Sequence, residues 1–342
     1  MRGALQALAL GAALTVTGAS AETRYSVLQY SDLSGWDQDD HAAALSVFME
    51  TCPDLDDGDW ASLCALGQKQ QDARAFFELF FRPVLIENEV KPLFTGYFEP
   101  ELRGSLQRTE QYRYPLYRKP PEVEPGRLWH TRSEIENDRL LAGRGLEIAW
   151  IDDPVDVFFL QIQGSGRVHL PDGGKIRVGY GGRNGHEYRS VGKELVRRGV
   201  FESHQVSASV IRNWVRQNPA AGRELLQHNP SFIFFREVST VPAAEGPLGA
   251  MNRSITTLRS IAVDPDYTPL GAPVWVEKLG AEPLQRLMIA QDTGSAIKGP
   301  QRADIFYGTG SEAGQRAGRV RDGGRMVVLL PIQKALELAP EG

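Results

Sequence analysis

Apolar and polar positions change rhythm several times along the chain. Ala73, Phe76, Phe77 and Phe80 recur at i, i+3, i+4 and i+7, which predicts a helix with one buried aromatic stripe, closed by Pro83. From Val90 the texture turns to short runs broken by Gly and Pro, and Leu93–Pro100, Tyr112–Tyr117 and Val155–Ile162 each read as strands. In the last of these, alternation puts Phe158, Leu160 and Ile162 on one face. Gln161 and Gln163 are left together on the other, just ahead of the Gly164-Ser165-Gly166 turn. A helical stretch follows, with Val206, Val210 and Trp214 on one face and a second short helix over Ala220–Gln227 behind Pro219. Strand texture returns at Ser231–Arg236. Beyond the Gly- and Pro-rich crossing Val241–Gly249, strands resume at Val274–Glu277, Leu287–Ala290 and Met326–Leu330. The pattern predicts a mostly β protein with a helical N-terminal region and two β units, the middle one inserted into the other.

Bulk properties narrow the class. The chain has 342 residues, 42% apolar and 24% charged, which suits a globular protein with room for two domains. Its formal net charge is −5, and −6 without the leader whose only charge is Arg2, so nucleic acid is not an expected partner. Met1–Ala21 has the layout of a secretory signal peptide with cleavage after Ala21, which predicts an exported protein beginning at Glu22. No Cys stands at that junction to accept a lipid, and no later run reaches the roughly 20 apolar residues of a transmembrane helix. Cys52 and Cys64, the only cysteines, read as one disulfide. Two buried free thiols are the alternative; a metal site lacks further ligands, and no metal or cofactor is expected.

Candidate chemistry concentrates near the end, where Leu287–Ala290 leads into Asp292 and, after a Gly-rich turn, into Ala303-Asp304-Ile305-Phe306. Apolar neighbours desolvate a carboxyl group and raise its pKa toward general-acid duty, whereas Arg302, on the same face of a strand as Asp304, would lower it. The plainer alternative is that Asp292 caps a turn and Asp304 pairs with an arginine. The Gln161/Gln163 pair and the loop Tyr180–Ser190 have amides and aromatics suited to sugars, or equally to an exposed strand face and a surface loop. Three other patterns lead away from catalysis. Ser190-x-x-Lys193 lacks the partner motifs of serine acyl enzymes, and Ser190 suits a helix N-cap. Gly308-x-Gly310-x-x-x-Gly314 has too little chain after it for a dinucleotide fold. The six histidines show no i, i+4 pair on a helix, which excludes a His-Glu-x-x-His zinc hydrolase.

Taken together, Thr95-Gly-Tyr97, Gln161–Gly166, Asn184–Ser190, Asn229–Phe235, Asp264 and the Asp292–Gly310 block resemble the membrane-bound lytic murein transglycosylase A (MltA) family, in matching order from about Leu93 to Leu330. The resemblance implies a double-psi β-barrel from residues 22–100 and 241–342, carrying a C-terminal three-aspartate motif. It further implies a second, barrel-like β domain inserted at 101–240, with a glycan groove between the two. By position in the motif, Asp304 corresponds to the family's single acid/base, with Asp292 and Asp264 as its companions. Contacts to the glycan are implied for Thr95, Tyr97, Gln161, Gln163, Gly164, Ser165, Asn184, Tyr188, Lys298 and Gly310. The implied reaction cleaves the β-1,4 bond between N-acetylmuramic acid and N-acetylglucosamine in peptidoglycan, giving a 1,6-anhydro product. With the export signal and no lipid-accepting Cys, the resemblance points to the periplasm, with cell-wall machinery proteins as further partners. An inverting hydrolase using a second Asp and a non-catalytic glycan-binding module are the competing expectations.

Overall fold

A computed structural model describes residues 22–339, so the predicted signal peptide and its junction at Ala21 lie outside the described residues. The chain opens with β1 (Arg24–Val27) and three helices, α1 (His41–Thr51), α2 (Gly58–Gly67) and α3 (Ala73–Phe80), followed by β2 (Phe81–Glu87) and β3 (Leu93–Glu99). A long excursion then supplies β4 (Glu101–Ser105), β5 (Tyr114–Tyr117), α4 (Arg132–Asn137), β6 (Glu147–Ile151), α5 (Pro154–Gln163), β7 (Gly166–His169), β8 (Lys175–Arg183), α6 (Val191–Arg197), α7 (Ala208–Gln217), α8 (Pro219–Gln227) and β9 (Ile233–Glu237). The chain returns as β10 (Ser260–Val263), β11 (Pro273–Lys278), β12 (Leu284–Thr293), β13 (Arg302–Thr309), α9 (Gly310–Ala317), β14 (Arg321–Asp322), β15 (Gly324–Pro331) and α10 (Ile332–Leu338).

These strands form two mixed sheets. The larger has nine strands in the order β1-β2-β15-β11-β12-β10-β13-β3-β14, drawn from both ends of the chain, and the smaller has six, β5-β6-β4-β7-β8-β9, all from the excursion. Pairing is antiparallel except for β10 with β12, β13 with β3 and β4 with β7. Helices are more prominent than the sequence pattern predicts, and the fold is a mixture of sheets and helices rather than mostly β.

Helix α3 forms as the apolar spacing of Ala73, Phe76, Phe77 and Phe80 predicts. Asp72 caps α3 by accepting from Ala75 N at 3.0 Å, and Phe76 and Phe77 are fully buried. They meet Phe48, Trp60 and Phe81 in an aromatic cluster that seats the helices on the larger sheet. Cys52 and Cys64 join the end of α1 to α2, with sulfurs 2.07 Å apart.

One expected strand is a helix. Pro154–Gln163 is α5, and the apolar residues that count are Val155, Phe158 and Phe159, at helical spacing and buried. The alternation from Val157 to Gln163 fits both periods, and the ends decide: Asp153 caps by accepting from Val155 N at 2.8 Å, Pro154 sits in the first turn, and Gly164 ends the helix at φ 79°. The Tyr112–Tyr117 strand is shorter than expected, beginning at Tyr114.

The two sheets meet where the chain crosses between them. Glu99, at the end of β3, is fully buried. It pairs with Arg167 of β7 (Nε to Oε2, 2.9 Å) and Arg177 of β8 (Nε to Oε1, 2.9 Å), and accepts from Thr309 Oγ1 at 2.8 Å. Both arginines also donate to the carbonyl of Glu245 on the returning segment, at 3.0 and 2.7 Å. The outgoing and incoming crossings are thus tied into one charged joint.

Candidate active site

Four adjacent strands of the larger sheet place their residues in one row. Asp304 on β13 is in register with Thr95 on β3 and with Ala262 on β10, and Ala262 is in register with Asp292 on β12. The two carboxylate residues therefore flank a single strand, about 10 Å apart at the backbone from two strand spacings. The small side chain of Ala262 lies between them, on a floor shared with Tyr97, Ile255, Ile297 and Phe306.

Asp304 is half-buried. Desolvation raises its pKa above the ordinary aspartate value, opposed by a hydrogen bond from Thr95 and by the charge of Arg302. The sequence posed burial and Arg302 as opposing effects, and burial is the larger. The Thr95 hydroxyl donates to Asp304 Oδ1 at 2.6 Å. Asp292 is raised to about 6, chiefly by desolvation, with the nearby charge of Asp304 adding to the rise. Three donors hold it in place: Ala250 N at 3.0 Å and Thr293 N at 2.9 Å on Oδ1, and the Tyr97 hydroxyl at 2.9 Å on Oδ2. Burial also lifts the Tyr97 phenol far above its usual range, so it stays a donor.

The third aspartate stands apart from this pair. Asp264 follows the end of β10 and is buried, accepting from Gly299 N at 2.8 Å and Lys298 Nζ at 3.1 Å. It anchors the turn between β12 and β13, and it occupies the Lys298 ammonium in doing so. Among the expected glycan contacts, Asn184 is fully buried and its amide bonds the carbonyls of His130 and Pro230 and the N–H of Phe232. Its task is to hold the loop. Gln161 and Gln163 lie on α5, their Oε1 atoms accepting from the buried Arg132 and from Phe98 N at 3.0 Å. Gly164 is the helix cap and Ser165 is buried directly after it. Tyr188 is partly buried beside Ser190, which caps α6 by accepting from Lys193 N at 3.2 Å. Gly310 opens α9 at φ 89°. Gly96, between Thr95 and Tyr97, is a packing glycine: a Cβ there would lie 2.7 Å from the Ala317 backbone, where α9 rests on β3.

Arg132, Glu99 and the Ala250 N–H were not singled out from the sequence. The cue for Arg132 is its place directly after the capping Thr131 of α4, which says helix start but not core. No group of three metal-ligating side chains occurs among the described residues, and no described helix is long and apolar enough to cross a membrane.

Titration of Asp292 carries a stability consequence. The folded chain holds its proton more tightly than the unfolded chain does, so its contribution to stability falls as pH rises from the ordinary aspartate range through about 6, then levels. We expect the stability of Asp292→Asn relative to wild type to rise across that window and stay constant above it. Thermal unfolding from pH 4 to 8 measures this, and a flat difference would contradict the shift.

Comparison with known proteins places this architecture in a class. The family profile of the MltA specific insert domain matches residues 93–236, and that of the 3D domain matches residues 259–330. The larger sheet thus carries a 3D domain and the smaller an MltA-type insert. The chain is 36% identical over 265 residues to membrane-bound lytic murein transglycosylase A of Vibrio cholerae, spanning 73% of this chain and 69% of that protein. It is 37% identical over 246 residues to the Escherichia coli K12 protein of the same name, spanning 69% of this chain and 65% of that one. A crystal structure of a membrane-bound lytic murein transglycosylase from Agrobacterium tumefaciens superposes with a TM-score of 0.82 at 32% identity, covering 92% of this chain and 99% of that one. E. coli MltA with bound chitohexaose gives 0.73 at 30% identity, covering 90% and 94%. The chain belongs to the membrane-bound lytic murein transglycosylase A family.

Proposed function

We propose that this protein cleaves the β-1,4 bond between N-acetylmuramic acid and N-acetylglucosamine with Asp304 as its single acid/base, releasing 1,6-anhydromuramic acid products. As a family member, the chain is a peptidoglycan lytic transglycosylase. The observation that carries the finer assignment is a half-buried carboxyl group, raised in pKa by desolvation, on a strand lining the junction with the insert.

One carboxyl group suffices if the substrate brings its own nucleophile. Protonated Asp304 gives its proton to the glycosidic oxygen as the bond to C1 breaks. The resulting carboxylate takes the proton of the muramic acid C6 hydroxyl as that oxygen bonds C1. Asp304 ends protonated, as it began, and no water is consumed. Holding the hydroxyl near C1 is a proximity effect of several kcal/mol, and excluding water keeps hydrolysis from competing. Asp292, held by three donors, supports charge building at the anomeric carbon rather than activating water, which weighs against the inverting hydrolase. In the same reading the nine-stranded sheet is the family's double-psi barrel, supported by its two parallel pairings, and residues 101–240 form the inserted domain. The enzyme then works in the periplasm on peptidoglycan strands.

Mass spectrometry of the soluble fraction from sacculi treated with the purified protein is the test. Anhydro-muropeptides are expected. Products heavier by one water would establish a hydrolase, and bound but uncut sacculi would establish a binding module.

A further inference from the structure

Arg302 lies two residues before Asp304 on β13, yet its hydrogen bonds do not go to that carboxylate. Nη1 donates to the carbonyls of Ala303 at 2.6 Å and Leu93 at 3.3 Å, which fixes the guanidinium to β13 and β3 together. Nη2 donates to Thr95 Oγ1 at 2.9 Å, and the same oxygen stands 2.6 Å from Asp304 Oδ1. Arginine has five donors and no acceptor, whereas a hydroxyl has one proton and two lone pairs. The Thr95 lone pair must therefore face Arg302, and its only proton faces Asp304. With one lone pair taken by Arg302, the hydroxyl is set to donate to Asp304 Oδ1, as it has to when that carboxylate is charged.

We propose that Arg302 is a positioning residue that, by fixing the direction of the Thr95 hydroxyl, commits Asp304 Oδ1 to the protein and reserves Oδ2 for the catalytic proton. The proposal rests on Asp304 being the acid/base. In each cycle the proton leaves Oδ2 for the glycosidic oxygen, and Oδ2 regains one from the C6 hydroxyl. Oδ1 keeps its Thr95 bond throughout. Interposing the hydroxyl also has an electrostatic use. A direct, bidentate Arg–carboxylate pair would stabilise the charged form strongly and remove the acid, while a hydroxyl between them lets the arginine steady the carboxylate after proton loss.

The test compares pH profiles of kcat and KM on sacculi for wild type, Thr95→Val, Thr95→Ser, Arg302→Met, the Arg302→Met/Thr95→Val double variant and Asp304→Asn. Thr95→Val and Arg302→Met should each lower kcat about ten- to hundredfold, the range expected for one hydrogen bond to a charged group, with KM nearly unchanged. Both remove an influence that favours the charged carboxylate, so the alkaline limb of the profile should move to higher pH. Thr95→Ser should recover most of the rate and restore the limb. Because Arg302 acts on the rate mainly through Thr95, the double variant should lose clearly less than the two single losses combined, its excess over Thr95→Val being the direct charge effect of Arg302 on Asp304. Circular dichroism identifies any variant that has lost its fold, and Thr95→Val, close to isosteric, tests the proposal even if Arg302→Met is lost. An unmoved alkaline limb in Thr95→Val, or additive losses in the double variant, would overturn the proposal while an inactive Asp304→Asn leaves the acid/base assignment standing. Activity in Asp304→Asn would overturn both.

Discussion

Asp304→Asn is expected to lower release of anhydro-muropeptides from sacculi by about 10²–10⁴-fold, the usual contribution of a positioned general acid/base. The loss should exceed that of any other single change in the site, because in the proposed mechanism the same carboxyl group serves both proton transfers. The amide matches the carboxylate in size, and its oxygen still accepts from Thr95, so the row across β12, β10, β13 and β3 has no steric cause to move. Binding of sacculi should therefore persist. Initial rates of soluble product, read with a sedimentation assay for sacculus binding, separate the two effects. A variant that releases product at the wild-type rate would remove Asp304 from the mechanism.

The largest stability effect is expected at the joint between the sheets. Glu99→Ala leaves the half-buried Arg167 and the buried Arg177 guanidinium groups at the joint without their counter-charge. Breaking a buried ion pair from one side costs about 3–5 kcal/mol, far more than losing an exposed pair. Thr309 loses its acceptor too, at the point where β13 hands over to α9. Denaturant unfolding of wild type and variant measures the cost, and a change under about 1 kcal/mol would show the joint to be dispensable. Arg253→Ala, which removes an exposed pair with Asp54, is the matched control for a surface loss.

Much of the site was legible because its signals are local. Asp292 and Asp304 stand out as carboxylates on apolar strands beside glycine turns, and the structure brings those strands to either side of Ala262. What stayed hidden depends on partners far away in sequence. Thr95 and Asp304 are 209 positions apart, and Tyr97 and Asp292 are 195 apart, so nothing near Thr95 says that its hydroxyl faces a carboxylate. The aspartate motif groups three residues by spacing, while strand pairing separates them: Asp264 falls beyond the end of β10 and anchors a turn. The α5 error has a different origin. A run of seven residues satisfies both periods, and the Asp-Pro start and glycine end were the better guide.

Drawing the larger sheet from both ends of the chain also sets an order of assembly. Strands β4 to β9 all lie within residues 101–237, so the smaller sheet can form from nearby partners as soon as that stretch is made. Strand β3 has to wait, its neighbours β13 and β14 being about two hundred residues further on. Completion of the insert brings the end of β3 close to the start of the returning segment, which shortens the effective loop that β13 must close. The insert is in this sense a folding clamp. A chain arrested anywhere before β13 holds no Asp304 at all, so under the proposed mechanism it could not cut the wall.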